Sequence, residues 1–259
     1  MRIGVNTRLF RSGRMEGVGW HAHEVIRRLV RNYPGLEFVF FFDGPAEDCF
    51  LFGPNVRPVS LFPPARHPLL YLAWFEWSLP RAMRRQGVDL YFSPEPFLSL
   101  RSPVPAVTTV HDIAFVHFPE YVRGMTNRYY QYFFPRYLQR AQRMIAVSDF
   151  TRQDVVRHYG IAEDKILLGC NGCREVFRPL GEEERIALRQ KWSQGHPYFC
   201  YVGSIHPRKN VANLLRAFER FKQRSGLPHR LLLAGRMGWQ GGETERAYRE
   251  NRFQEHILL

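Results

Sequence analysis

Cysteine is scarce in this chain: Cys49, Cys170, Cys173 and Cys200 are the four thiols among 259 residues. That number in a chain this long argues against a disulfide framework, so reduced thiols are expected. Cys170-Asn-Gly-Cys173 supplies only half of a structural zinc site, and its central Asn-Gly reads as a turn. Long apolar runs are missing too. The greasiest stretches, Glu37 to Phe42 and Leu69 to Trp77, fall short of the roughly 20 residues that cross a bilayer. Met1-Arg-Ile-Gly-Val-Asn6 enters a strand-like segment directly, without the apolar region of a secretory signal, and a cytoplasmic protein is expected. There is no internal repeat, no low-complexity segment and no recognisable nucleic-acid module, so nucleic acid is not an expected partner.

Acidic residues are the minority, 24 against 37 Lys and Arg, for a net charge of +13. Such a surplus attracts phosphates and anionic head groups. The basic residues recur near the ends of expected helices (Arg27, Arg28, Arg31; Arg81, Arg84, Arg85; Arg136, Arg140, Arg143), where part of the pattern complements the helix dipole. A bias towards the inner membrane face is expected from the remainder. The segment from Leu69 to Leu79, followed by Arg81, Arg84 and Arg85, suits either a packed core helix or an interfacial one. Glu76 at its middle favours the core.

What is present is ample for a packed interior, with 45% hydrophobic and 15% aromatic residues. Strand-like segments at Arg2 to Asn6, Glu37 to Phe42, Val88 to Ser93, Ala106 to Val110, Met144 to Val147 and Lys165 to Leu168 alternate with helical patterns. That alternation predicts an α/β fold with a parallel sheet covered on both faces. A helix over Gly19 to Asn32 places Ala22, Val25, Ile26, Leu29 and Val30 on one stripe. Ser148 is the expected N-cap, and Gly160 the stop, of a helix over Asp149 to Tyr159. Pro80 and Pro135 should kink or divide two further helices.

Phe177 to Gly181 reads as the exit from a first domain, giving domains at 1–180 and 181–259. After a charged helix around Glu182 to Trp192, the second domain runs from a buried strand at Tyr198 to Val202, through a helix over Asn210 to Arg224, to a strand at Arg230 to Ala234. A loop with Gly235, Gly238, Gly241 and Gly242, a helix near Thr244 to Phe253 and the start of a strand at His256 to Leu259 follow. An independent domain usually needs roughly 100 residues or more, so this second domain is expected to be incomplete. Its first loop, Gly203-Ser-Ile-His-Pro-Arg-Lys-Asn210, brings Arg208 and Lys209 to a helix start. Unpaired backbone N–H groups and the positive dipole end make a phosphate site there.

The turn Gly17-Val-Gly19, Thr109-Val-His-Asp112 at a strand end, Ala146-Val-Ser148, the loop from Gly203 to Asn210, Leu233-Ala-Gly235 and Gly238-Trp239 occur in an order that resembles the retaining glycosyltransferases of family four. The resemblance implies the two-domain GT-B fold, with a Rossmann-like parallel-sheet N-terminal domain on the acceptor side and a second Rossmann-like domain that takes a nucleoside-diphosphate sugar. No metal or other cofactor is implied. Gly17 and Gly19 fall on the family's glycine-rich turn, where missing side chains let the backbone approach the donor. A plain strand-to-helix turn is the alternative. His111, next to Asp112, matches the catalytic strand-end histidine facing the transferred sugar, where an imidazole can orient a hydroxyl or steady developing positive charge. Gly203, Ser204, Arg208 and Lys209 match the diphosphate loop, and the two cations would stabilise the departing nucleotide as the glycosidic bond breaks.

The family's glutamate pair would fall beyond Leu259, and Glu243, Glu245, Glu250 and Glu255 come too early to replace it. The expected activity is transfer of a hexose, with mannose favoured, to a glycan or lipid-linked acceptor with retention. The alternative is a catalytically silent fragment that binds a membrane or a partner.

Overall fold

The computed structural model describes residues 1–65, 67–122, 124–235 and 242–259. Gly238, Trp239 and Gly241, singled out in the sequence, lie outside them. The chain divides into two compact units, Met1–Gly172 and Cys173–Leu259, which leaves the segment Phe177 to Gly181 in the second.

The first unit runs β1 (Arg2–Asn6), α1 (Gly17–Asn32), β2 (Glu37–Phe42), β3 (Val56–Ser60), α2 (Pro68–Ala73), α3 (Leu79–Arg85), β4 (Leu90–Ser93), β5 (Ala106–Val110), α4 (Ala114–His117), α5 (Gly124–Arg140), β6 (Arg143–Ala146), α6 (Asp149–Tyr159) and β7 (Ile166–Leu168). Its strands form one all-parallel sheet in the order β3-β2-β1-β4-β5-β6-β7. The run of phenylalanines in β2 shows why helices cover both faces. Phe38, Phe40 and Phe42 pack with Ala22, Ile26 and Val30 of α1, whereas Val39 and Phe41 join a second core with Trp74, Phe75 and Leu79. Each fully buried ring contributes about 1.5–3 kcal/mol relative to exposure.

Three local expectations change. Strand β3 was not anticipated, because Arg57 and Pro58 dilute its apolar signal; Pro is tolerated there since β3 is an edge strand. The segment Leu69 to Leu79 is neither wholly core nor wholly interfacial. Helix α2 buries no residue, a π-helical turn over Trp74–Ser78 follows, and Trp74, Phe75, Glu76 and Leu79 are buried. Pro80 has no N–H to return to the preceding turn, which accounts for the widened turn just before it. Helix α5, by contrast, runs unbroken through Pro135.

The second unit contains α7 (Glu182–Ser193), β8 (Tyr198–Val202), α8 (Val211–Ser225), β9 (Arg230–Ala234), α9 (Glu243–Arg249) and β10 (Ile257–Leu258), with sheet order β10-β9-β8. Val211, Leu215 and Phe218 of α8 pack on Leu231 and Leu233. Strand β8 was expected to be buried. It is an edge strand among the described residues, paired with β9 alone, and leaves Phe199 46% and Val202 79% exposed. Helix α8 starts at Val211, so Arg208 and Lys209 precede it, in a 3₁₀ turn over Pro207–Lys209. Among the described residues no helix is long and apolar enough to cross a membrane.

Candidate functional site

In an open parallel sheet, ligands bind outside the carboxyl ends of the strands where the strand order reverses. Here the reversal lies between β1 and β4. The two strands end at Asn6 and Ser93, and a buried polar network closes over them. Asn6 Nδ2 donates to Ser93 Oγ at 3.1 Å and to Glu95 Oε1 at 2.8 Å. Ser93 Oγ and Thr108 Oγ1 each donate to the Glu95 carbonyl at 2.7 Å. Arg8 grips the Glu95 carboxylate with two nitrogens, Nη2 lying 2.6 Å from Oε2 and Nε bonding Oε1, and its guanidinium sits 4.6 Å above the Phe97 ring. Burial by itself would lower the pKa of this guanidinium. The Glu95 charge and hydrogen bond outweigh that and hold it above its ordinary value.

His111 follows directly on β5, as the sequence predicted for a strand-end residue. Its Nε2 lies 2.9 Å from the Pro94 carbonyl. A carbonyl only accepts, so Nε2 carries the proton and the neutral ring keeps its lone pair on Nδ1. The His111 carbonyl accepts from Thr151 Oγ1 of α6 at 3.1 Å, and Ser148 caps that helix by accepting from Thr151 N at 3.1 Å. Asp112 Oδ1 accepts from Ala114 N at 3.0 Å, a local bond that starts α4.

Gly17 opens α1, whose N-cap residue Glu16 makes no side-chain cap bond. A Cβ on Gly17 would meet nothing within 4 Å, whereas one on Gly19 would lie 3.3 Å from Met15 Cβ. Gly17 therefore leaves open space beside the helix start, and Gly19 allows close packing. His21 lies one turn after Gly17 and meets His111 edge-on, with ring centroids 4.8 Å apart. Its pKa is lowered, first by burial and then by His111, against a hydrogen bond with Asn171. Neither His21, Asn171, Arg8 nor Glu95 was singled out from the sequence. The i, i+4 spacing of His21 from Gly17 was the signal that would have found the first.

In the second unit, Gly203 N donates to Ala234 O at 2.9 Å, and Tyr201 Oη donates to the exposed Ser204's carbonyl at 3.0 Å. His206 Nδ1 accepts from Arg208 N at 3.3 Å, which shapes the 3₁₀ turn. Arg208 and Lys209 are exposed, and among the described residues neither pairs with a carboxylate. Asn210 turns the chain with φ of 56° into α8, whose start has no side-chain cap and no acidic residue in its first turn. The arrangement places two exposed cations immediately before a helix start that carries no acidic residue in its first turn.

The profile described as Glycosyltransferase Family 4 matches residues 15–174, which include Gly17, Gly19, His111 and Asp112. The chain belongs to glycosyltransferase family 4. Among curated proteins, the O-antigen chain mannosyltransferase B of Escherichia coli is 31% identical over 182 residues, 68% of this chain and 47% of that relative. The chain thus spans about half the length of that relative. Solved structures agree on the fold. The Anabaena protein HepE, in complex with UDP and glucose, aligns with a TM-score of 0.68 at 15% identity over 99% of this chain and 68% of its own. WaaG, a glycosyltransferase involved in lipopolysaccharide biosynthesis, aligns at 0.69 with 13% identity over 99% of this chain and 69% of its own. The fold is α/β of the GT-B type.

In this family 4 chain the first unit offers an imidazole of fixed tautomer at a sheet edge, braced by a charged network one strand away. Its Nδ1 suits acceptance from a hydroxyl. The second unit offers a cationic turn. Cys170 and Cys173 are exposed free thiols. One group among the described residues has the geometry to hold a cation: His117, Asp154 and His158, whose ligand atoms lie within 4.8 Å of one another.

Proposed function

We propose that this family 4 chain is part of a retaining hexosyltransferase that moves mannose from a nucleoside diphosphate to a glycan or lipid-linked acceptor. The observation that carries the reading is the His111 imidazole, fixed by Pro94 at the carboxyl edge of the sheet within 4.8 Å of His21 and beside the open start of α1. His111 Nδ1 accepts from a sugar hydroxyl and orients the ring of the donor. Arg208 and Lys209 hold the diphosphate, with Gly203 and Ser204 bringing backbone towards it. Charge builds on the leaving phosphate as the bond to the anomeric carbon breaks, and the cations are worth most at that point. The acceptor hydroxyl then attacks the same face within the ion pair and gives its proton to the leaving phosphate oxygen, so no carboxylate nucleophile is required. The step needs no metal in this scheme.

The choice of mannose is supported by the likeness to the Escherichia coli mannosyltransferase. Contact with the inner membrane face is supported by the exposed side chains of Phe62, Leu69 and Trp77 in a chain of net charge +13. Thermal melts with GDP-mannose, GDP, UDP-glucose and UDP test the donor, because a ligand bound only by the folded state raises the melting temperature. A rise with the guanosine compounds, together with transfer of labelled mannose to a lipid-extract acceptor, is expected. No rise with any of the four nucleotides refutes the donor assignment, and an inverted anomeric configuration in the product refutes retention.

A further inference from the structure

At the end of α4, six residues after His111, a second constellation is not used by the transfer scheme. Asp154 and His158 stand four residues apart on α6 and so share a face of that helix. His117, the last residue of α4, reaches the same carboxylate from a different element. His117 Nε2 lies 2.7 Å from Asp154 Oδ2, and His158 Nδ1 lies 3.0 Å from Asp154 Oδ1. The two imidazoles meet edge-on with centroids 4.9 Å apart.

We propose that His117, Asp154 and His158 bind a divalent transition-metal ion of the zinc class. The donor set is two imidazole nitrogens and one carboxylate oxygen, the combination borderline cations such as zinc prefer over calcium or magnesium. All three ligand atoms already lie within 4.8 Å of one another. Tetrahedral coordination at about 2.0–2.2 Å needs them roughly 3.3 Å apart, an adjustment within side-chain rotation.

Charge argues the same way. Asp154 is only 6% exposed, and among the described residues the ion-pair contacts it makes are with these two imidazoles. An ion would take the place of the imidazole contacts with the carboxylate and of the 3.0 Å contact between His158 Nδ1 and the Asp154 carbonyl, and each imidazole would carry its proton on the other ring nitrogen. The imidazole side chains are 36% and 30% exposed, which gives the ion a way in and leaves a coordination position to water.

The consequence is a clamp. Thr151 of α6 already holds the His111 carbonyl, and the ion would fasten His117 to the same helix. Both ends of the stretch from His111 to His117 would then be tied to α6, so the ion acts on the position of His111 and takes no part in the transfer step itself.

The test is calorimetric titration of zinc chloride into the EDTA-treated, dialysed chain, with cobalt(II) absorption as a second readout. A single site is expected, with the d–d bands of a low-coordinate cobalt centre and no thiolate charge-transfer band. His117→Ala and His158→Gln should each weaken binding at least about 10-fold, while Cys170→Ser with Cys173→Ser leaves it unchanged. Absence of binding to the wild-type chain overturns the proposal. So does binding undiminished in both histidine variants, or a cobalt spectrum showing thiolate ligation.

Discussion

The rings of His21 and His111 meet edge to face, with centroids 4.8 Å apart and planes at 89°. The contact bears on the ionisation of His21, whose pKa is lowered. For His21 the lowering comes first from burial and then from His111. Between its folded pKa and the unfolded value near 6.5, the unfolded chain binds more protons, and stability therefore rises with pH. This contribution is complete above about pH 6.5 and fades as the solution is acidified below it. Melting temperature recorded against pH should fall on acidification less steeply in His21→Gln than in the wild type. Equal slopes would remove His21 from the account.

His111 is placed to act through Nδ1, because Nε2 is committed to Pro94. His111→Ala should lower kcat/KM for mannosyl transfer by about 100-fold or more, the range for a positioned hydrogen-bonding or proton-handling group. The cost to folding should be near 1 kcal/mol, for one hydrogen bond to a carbonyl. His111→Asn retains a hydrogen-bonding side chain and should recover part of the activity. Turnover in His111→Ala within a few-fold of wild type sinks the assignment.

Glu95 compensates the charge of Arg8 in a nearly closed environment, their side chains being 6% and 12% exposed. Removing one partner of a buried pair leaves the other charge without compensation, which costs about 3–5 kcal/mol, whereas replacing both with apolar groups is often neutral. Urea unfolding of Glu95→Ala should show that loss, and Arg8→Met with Glu95→Leu should restore most of it. If the single and double variants are equally destabilised, the network stabilises through something other than this pair.

The legibility of these features follows their range along the chain. Strands β1, β2 and β5 were readable because dense apolar segments bounded by turn residues carry their own signal, and Ser148 as a cap was readable from its immediate neighbours. The strand-end position of His111 was readable for the same reason, since it needs only the end of one strand. Arg8 and Glu95 were not, because their meeting depends on β1 lying beside β4, a sheet order that spans more than eighty residues and leaves no local trace. The exposure of β8 depends in the same way on which strands flank it. Residues 69–79 misled because hydrophobic content reports burial on average, while the widened turn before Pro80 puts Leu69 outside and Phe75 inside.

Two glycines from the sequence reading should respond in opposite ways. A Cβ on Gly235 would fall 1.9 Å from the Gly203 carbonyl oxygen, an overlap with backbone that no rotamer relieves. Gly235→Ala should therefore destabilise the second unit by about 1–3 kcal/mol or more, seen as faster hydrogen exchange in β8 and β9. Gly17→Ala meets open space and should leave the melting temperature within about 1 °C, or raise it slightly through helix propensity. If Gly17 lets a ligand approach, Gly17→Ala weakens donor or acceptor binding all the same. Unchanged binding would make Gly17 a plain helix start.

Arg208 and Lys209 carry the donor half of the proposed function. Their side chains are solvated and make no ion pair among the described residues, so their loss should leave stability within about 0.5 kcal/mol. Against a diphosphate the outlook differs, because a charge-assisted hydrogen bond contributes about 1.5–3 kcal/mol. Losing two should weaken nucleotide binding by about 100-fold or more, at 1.4 kcal/mol per factor of ten. Arg208→Ala with Lys209→Ala separates the two effects: the melt in buffer should match the wild type, and the shift with GDP should vanish. Binding in the wild type should also weaken as salt is raised, and less so in the double variant, since screening acts on the cations that were removed. A double variant that binds GDP as tightly as the wild type would leave the 3₁₀ turn as a solvated helix entry and move the diphosphate elsewhere in the chain.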